Sequence, residues 1–193
     1  MQRLSPALTE VNTVVLKDFI EQTLEDFRGR VHRALRGLTP EELAWSPDTE
    51  ANSIGFIVWH VARVEDRWLH RFAQDGVELW VADGWHERFS LPEGDTGLGY
   101  DARQIAFFPN LSSEDLLQYL DDVRARTIEY VGGLGPEDFD VAPGRTPFPE
   151  RPSTVRYFEG CTIGRMFRQL IGELNQHLGQ VAYLRGLQRG LDR

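Results

Sequence analysis

Apolar positions recur at three- and four-residue steps in four stretches of this chain, and no stretch alternates apolar and polar residues for the length of a half-buried strand. The first stretch sets Leu16, Ile20, Leu24, Phe27, Val31, Leu35 and Leu38 on one stripe, with Gly37 and Pro40 at its end. Thr39-Pro40-Glu41-Glu42 then reads as the cap and first turn of a short helix. The second stretch is capped by Asn52 or Ser53 and carries Ile54, Ile57, Val61, Val64, Trp68 and Phe72 inward; it runs to about Ala73, before Asp75-Gly76. The third opens on a capping-box pattern from Ser112 to Asp115 and continues through Leu116, Leu120, Val123, Thr127 and Val131 to a stop at Gly132, Gly133, Gly135 and Pro136. The fourth spans Thr162 to about Leu187, with Gly186 and Gly190 near its exit.

The pattern predicts an all-α chain folded as one domain over residues 1–193, with a four-helix bundle as its architecture. Between the second and third helices, residues 77–110 lose periodicity and collect Trp80, Trp85, Phe89, Tyr100, Phe107 and Phe108. A crossover of that length is expected to be a lid, a binding loop, or packing across the bundle end. A second connection, 140–153, holds Pro143, Pro147, Pro149 and Pro152 and is expected to be non-helical.

Composition narrows the functional classes. The 193 residues are 41% apolar and 11% aromatic, enough for a sizeable core and too apolar for disorder. With 21 basic against 30 acidic residues the net charge is −9, and no cluster of five or more Lys and Arg offers a phosphate-backbone groove, so no nucleic-acid partner is expected. No apolar run is long enough to span a membrane, and the opening residues lack a basic-then-apolar secretory pattern. One cysteine, Cys161, rules out an internal disulfide framework and a cysteine-rich zinc site. These features predict a soluble, cytoplasmic protein with a small-molecule or protein partner.

Candidate chemistry gathers on the fourth helix. At 100° per residue from His177, Met166 and Leu184 lie near about −20°, Leu170 near about +20°, Ile163 and Val181 near about +40° and Glu173 near about −40°. This places His177 and Glu173 inside the apolar stripe, where an ionised carboxylate requires a cation, an arginine or a proton. Glu-x-x-x-His brings both heads to one spot, and a divalent metal suits the pair. A third ligand must come from another helix. His60 is the best placed of the remaining histidines, since Phe56, Ile57 and Val64 surround it, while His86 in the aromatic crossover could cover the site. Arg67 and Arg71, about 20° to either side of His60, could clamp a substrate anion, with Trp85 and His86 closing over it. On spacing alone, Glu173 and His177 also read as a solvated pair, His60 as a satisfied core histidine, and the arginines as snorkelling groups paired to Glu65 or Asp66.

Two segments resemble the second and fourth helices of the DinB-like (YfiT-like) family: Trp59-His60-Val61-Ala62-Arg63-Val64-Glu65-Asp66-Arg67-Trp68 and Gly172-Glu173-Leu174-Asn175-Gln176-His177-Leu178-Gly179-Gln180-Val181-Ala182-Tyr183-Leu184-Arg185-Gly186-Leu187. The resemblance spans most of the chain. It implies an up-down-down-up four-helix bundle, a homodimer, and one metal ion, commonly zinc or nickel, held by three side chains, here His60, Glu173 and His177. Many members use three histidines; Glu173 stands where the first of a His-x-x-x-His pair would be, as in the mycothiol-dependent maleylpyruvate isomerase branch. The implied activity is activation of a low-molecular-weight thiol such as mycothiol or bacillithiol, or of water, for thiol transfer or hydrolysis. Glu65, Asp66 and His86 are the candidate general bases. The competing expectation is a non-catalytic, stress-related metal- or ligand-binding protein acting through its dimer surface.

Overall fold

A computed structural model describes residues 6–190; the chain start tested above for a secretory pattern, residues 1–5, lies outside them. Among the described residues there are helices and turns and no strand, and no helix is long and apolar enough to cross a membrane. Four long helices dominate: α1 (Pro6–Leu35), α3 (Ile54–Arg67), α7 (Ser113–Gly133) and α9 (Ile163–Arg189). The short helices are α2 (Pro40–Ala44), α4 (Leu79–Ala82), α5 (Trp85–Phe89), α6 (Ala102–Ala106) and α8 (Pro152–Phe158). The helix of α3 continues through a π-helical stretch, Trp68–Ala73. α3 packs on α7 and α9, and α1 packs on the same two.

The predicted helix starts are built as the side chains dictate. Thr39 and Glu42 form a reciprocal capping box, and Ser53, Ser112 and Thr162 accept from the backbone N–H groups of Phe56, Asp115 and Arg165. The stripes expected for α3 and α7 are buried, as is that of α1 except for Leu16, which is exposed.

Two expectations need correction. The crossover at 77–110 is not structureless: it contains α4, α5 and α6, and Trp80, Trp85 and Phe89 pack in the core around Tyr119. The second correction concerns charge. Every residue of α3 is buried, including Arg63, Glu65, Asp66 and Arg67, so Arg63 and Arg67 are not snorkelling surface groups.

These ions are kept inside by pairing, because an unpartnered buried charge costs several kcal/mol. Arg63 donates to Glu78, to Asp66 (3.1 Å), to the Tyr119 hydroxyl (3.1 Å) and to the Asp95 carbonyl (3.0 Å). Burial alone would favour losing its proton, but the neighbouring Tyr119, Glu78 and Asp66 outweigh that and raise its pKa. Arg67 donates to the carbonyls of Pro147 (2.6 Å) and Gly94 (3.0 Å) and to Glu150 (2.9 Å), and Arg71 pairs with Glu78. Separately, both Glu65 oxygens accept from Arg124 of α7, at 2.8 and 2.7 Å. The two arginines of α3 therefore pin both connections, through residues 94, 95 and 147, against the helix that carries His60.

Candidate metal centre

His60 sits one turn beyond Phe56, whose ring stacks on the imidazole at 5.9 Å with an interplanar angle of 4°. It is 6% exposed. Its Nδ1–H donates to the carbonyl of Thr96 at 2.5 Å. A carbonyl only accepts, so the proton is on Nδ1 and the lone pair is on Nε2. Burial, more than any neighbour, lowers the His60 pKa and keeps the ring neutral.

The Thr96 carbonyl is aimed by a turn that requires glycine. Gly97 has φ +71°, and a Cβ there would lie 2.7 Å from Trp59 Cζ3 and 2.8 Å from Phe56 Cε2 and Cζ. Asp95 braces the same turn, accepting from the Gly97 N–H at 3.1 Å and from the Tyr100 hydroxyl.

Glu173 and His177 face His60 from α9. His177 Nε2 lies 3.3 Å from Glu173 Oε1, and its ring meets His60 edge-on at 5.2 Å between centroids. The other ring nitrogen, Nδ1, donates to Gln180 Oε1 at 3.0 Å, which leaves Nε2 to face the carboxylate. The hydrogen bond from His177 holds the Glu173 carboxyl below its usual range despite partial burial. Burial pulls the His177 pKa down, but Glu173 and Gln180 pull it up further, so the net shift is upward.

One ligand atom from each of His60, Glu173 and His177 can be chosen so that all three lie within 4.8 Å of one another. Ligand bonds of about 2.0–2.1 Å in a tetrahedral arrangement separate donors by about 3.3 Å, the separation that Glu173 and His177 already have. Once the proton that His177 Nε2 shares with Glu173 is displaced, two neutral imidazoles with their Nδ1–H groups engaged, plus one carboxylate, are a donor set suited to a divalent ion.

The position of Glu173 differs from the sequence-based placement. The buried stripe of α9 is Ile163, Met166, Phe167, Leu170, Leu174, Leu178, Val181 and Leu184, centred about 40° from His177 and about 80° from Glu173. Packed on both α1 and α3, α9 buries a wider arc that takes in Leu174 and Leu178. His177 lies at its edge and Glu173 on its rim, with side chains 14% and 39% exposed. The case for a cation therefore rests on convergence of donors rather than on a carboxylate trapped in apolar surroundings.

The other candidate residues lie elsewhere. Arg67 and Arg71 are engaged by Glu78 and Glu150. Trp85 packs on Phe89 and Tyr119 under the Arg88 guanidinium. His86 Nδ1 faces the Trp80 carbonyl at 3.1 Å. None of these four lines the cleft of about 460 Å³ that opens beside His60 and Glu173. Of the candidate bases, Glu65 is held by Arg124. Asp66 accepts from Tyr119, Arg63, His70 and the N–H groups of Leu79 and Trp80. Cys161 is buried, and burial raises its thiol pKa.

Sequence reasoning missed Thr96 and Gln180, the partners of the two imidazoles. Gln180 had a visible signal, being three residues after His177 on one helix; a backbone carbonyl such as that of Thr96 has none.

Comparison with known proteins agrees with the all-helical fold. The crystal structure of a conserved protein from Enterococcus faecalis superposes with a TM-score of 0.73 at 21% identity, covering 90% of this chain and 97% of that one, which shows a shared fold. A search of curated proteins returned no match. The DinB superfamily matches residues 23–181, a span that includes α3, α7, His60, Glu173 and His177. This chain belongs to the DinB superfamily.

Proposed function

We propose that this protein is a cytoplasmic, metal-dependent enzyme in which His60, Glu173 and His177 hold one zinc or nickel ion on an up-down-down-up four-helix bundle. The observation that carries the reading is the meeting of two imidazole Nε2 atoms and a carboxylate, with each imidazole oriented through its Nδ1–H by Thr96 or Gln180. A divalent ion supplies Lewis acidity, lowering the pKa of a low-molecular-weight thiol or a water that approaches it. Glu173 contributes one negative charge and the histidines none, so the centre keeps a net positive charge toward a nucleophile. Thr96 and Gln180 fix the donor directions, which limits the reorganisation needed on binding. The cleft beside His60 and Glu173 admits a small electrophile while α3 closes the inner wall. Thiol transfer is the first version of the reaction and hydrolysis the second.

Elemental analysis of untagged protein tests the site: about one divalent ion per chain is expected, and Glu173→Ala is expected to lose it. Stoichiometric metal surviving that substitution refutes the ligand set. Thiol-conjugation turnover measured with and without chelator tests the mechanism, and chelator-insensitive turnover removes it.

A further inference from the structure

The cleft beside the three ligands has a composition of its own. Val64, Leu98, Phe148 and Phe158 supply apolar walls, and Trp68 and Tyr157 add aromatic edges. Trp68 is 7% exposed, and its indole N–H is buried without an acceptor among the described residues. It sits where α3 passes into the π-helical stretch, and π-helical turns recur at functional sites. Arg168 also lines the cleft, exposed and making no hydrogen bond or ion pair with another described residue. Its neighbour Arg165 is engaged, by the Tyr157 carbonyl and ring.

We infer that this cleft binds a flat, apolar small molecule bearing a carboxylate, with the carboxylate on Arg168 and the apolar body against Trp68, Phe148 and Phe158. A guanidinium without a partner among the described residues, beside an aromatic slot, selects for an anion, and its planar fork matches a carboxylate. The indole N–H is itself closed to solvent, so it reports a ring laid against Trp68 rather than offering a polar contact. Arg168 and Glu173 are five residues apart on α9, about 7.5 Å along the axis and about 140° around it, and both line the cleft. A ligand lying along the cleft from Arg168 therefore meets the proposed metal centre on its Glu173 side. That last point rests on the proposed metal centre; the selectivity of the cleft does not.

The test uses 2-naphthoate and its neutral counterpart 2-naphthylmethanol, titrated into chelator-treated wild-type protein and Arg168→Gln. The carboxylate is expected to bind about tenfold more tightly than the alcohol, and Arg168→Gln is expected to erase that preference while leaving the alcohol's affinity unchanged. The Trp68 indole proton resonance, identified by its loss in Trp68→Phe, is expected to shift on naphthoate binding. Equal binding of the two probes to wild-type protein, or a preference that survives Arg168→Gln, overturns the inference. Repeating the titration with zinc separates the two readings. A carboxylate preference in a protein that takes up no metal sinks the proposed centre alone. Metal uptake without the preference sinks the cleft alone.

Discussion

Gly97→Ala isolates the turn that aims His60. The new methyl would enter at 2.7–2.8 Å from Trp59 and Phe56, two rings of the core, and the backbone there is left-handed at φ +71°. A left-handed conformation costs a non-glycine residue about 1–2 kcal/mol. Overpacking against buried rings adds about 1–3 kcal/mol. The cheapest relief is to move the turn, which carries the neighbouring Thr96 carbonyl away from His60 Nδ1. Loss of such an orienting partner lowers metal affinity about 10–100-fold. Competition with a chromophoric chelator measures the affinity, and urea denaturation of the metal-free protein measures stability. Leu35→Ala on α1, a helix that supplies no ligand, is the control: a loss of about 2–5 kcal/mol with metal affinity nearly intact is expected. If Gly97→Ala binds zinc as tightly as the wild type, the Thr96 carbonyl does not orient His60 and the reasoning fails.

The remaining predictions concern the buried ions. Arg124→Leu strands Glu65 in the core and is expected to cost about 3–5 kcal/mol in urea denaturation, with Glu65→Leu/Arg124→Leu recovering most of it; a double variant no better than the single would refute the pairing argument. His70, although burial acts against its charge, has a raised pKa because Asp66 accepts from it at 2.7 Å. Its stabilisation is therefore fully present below its ordinary value of 6.5 and is lost as pH rises through the raised folded value. Urea midpoints of wild type and His70→Gln should converge as pH rises from 6.5 through the raised folded value, and a constant difference would contradict this.

Much of the helical frame was legible because its stripes follow the 3.6-residue period, and Ser53, Ser112 and Thr162 mark their own helix starts. Periodicity failed where it equates charge with surface. Arg63 meets Glu78 fifteen positions away and Glu65 meets Arg124 fifty-nine away, pairings that no local pattern contains. The short helices α4 to α6 were hidden for another reason: each is five residues or fewer, and the surrounding glycines and prolines mask so short a period. The same limit displaced Glu173. Its angle from His177 was right, but the centre of the buried arc depends on which helices flank α9, and that is a tertiary fact.

The uneven depth of His60, Glu173 and His177 bears on the kinetics of the proposed centre. His60 is fixed in a helix without a solvent face, whereas Glu173 keeps two-fifths of its side chain in water. An ion held between them can leave by the outer pair letting go first, while the inner framework stays folded. Demetallation of the proposed centre by excess chelator should then run far faster than global unfolding, so metal exchange would not require passage through a denatured state.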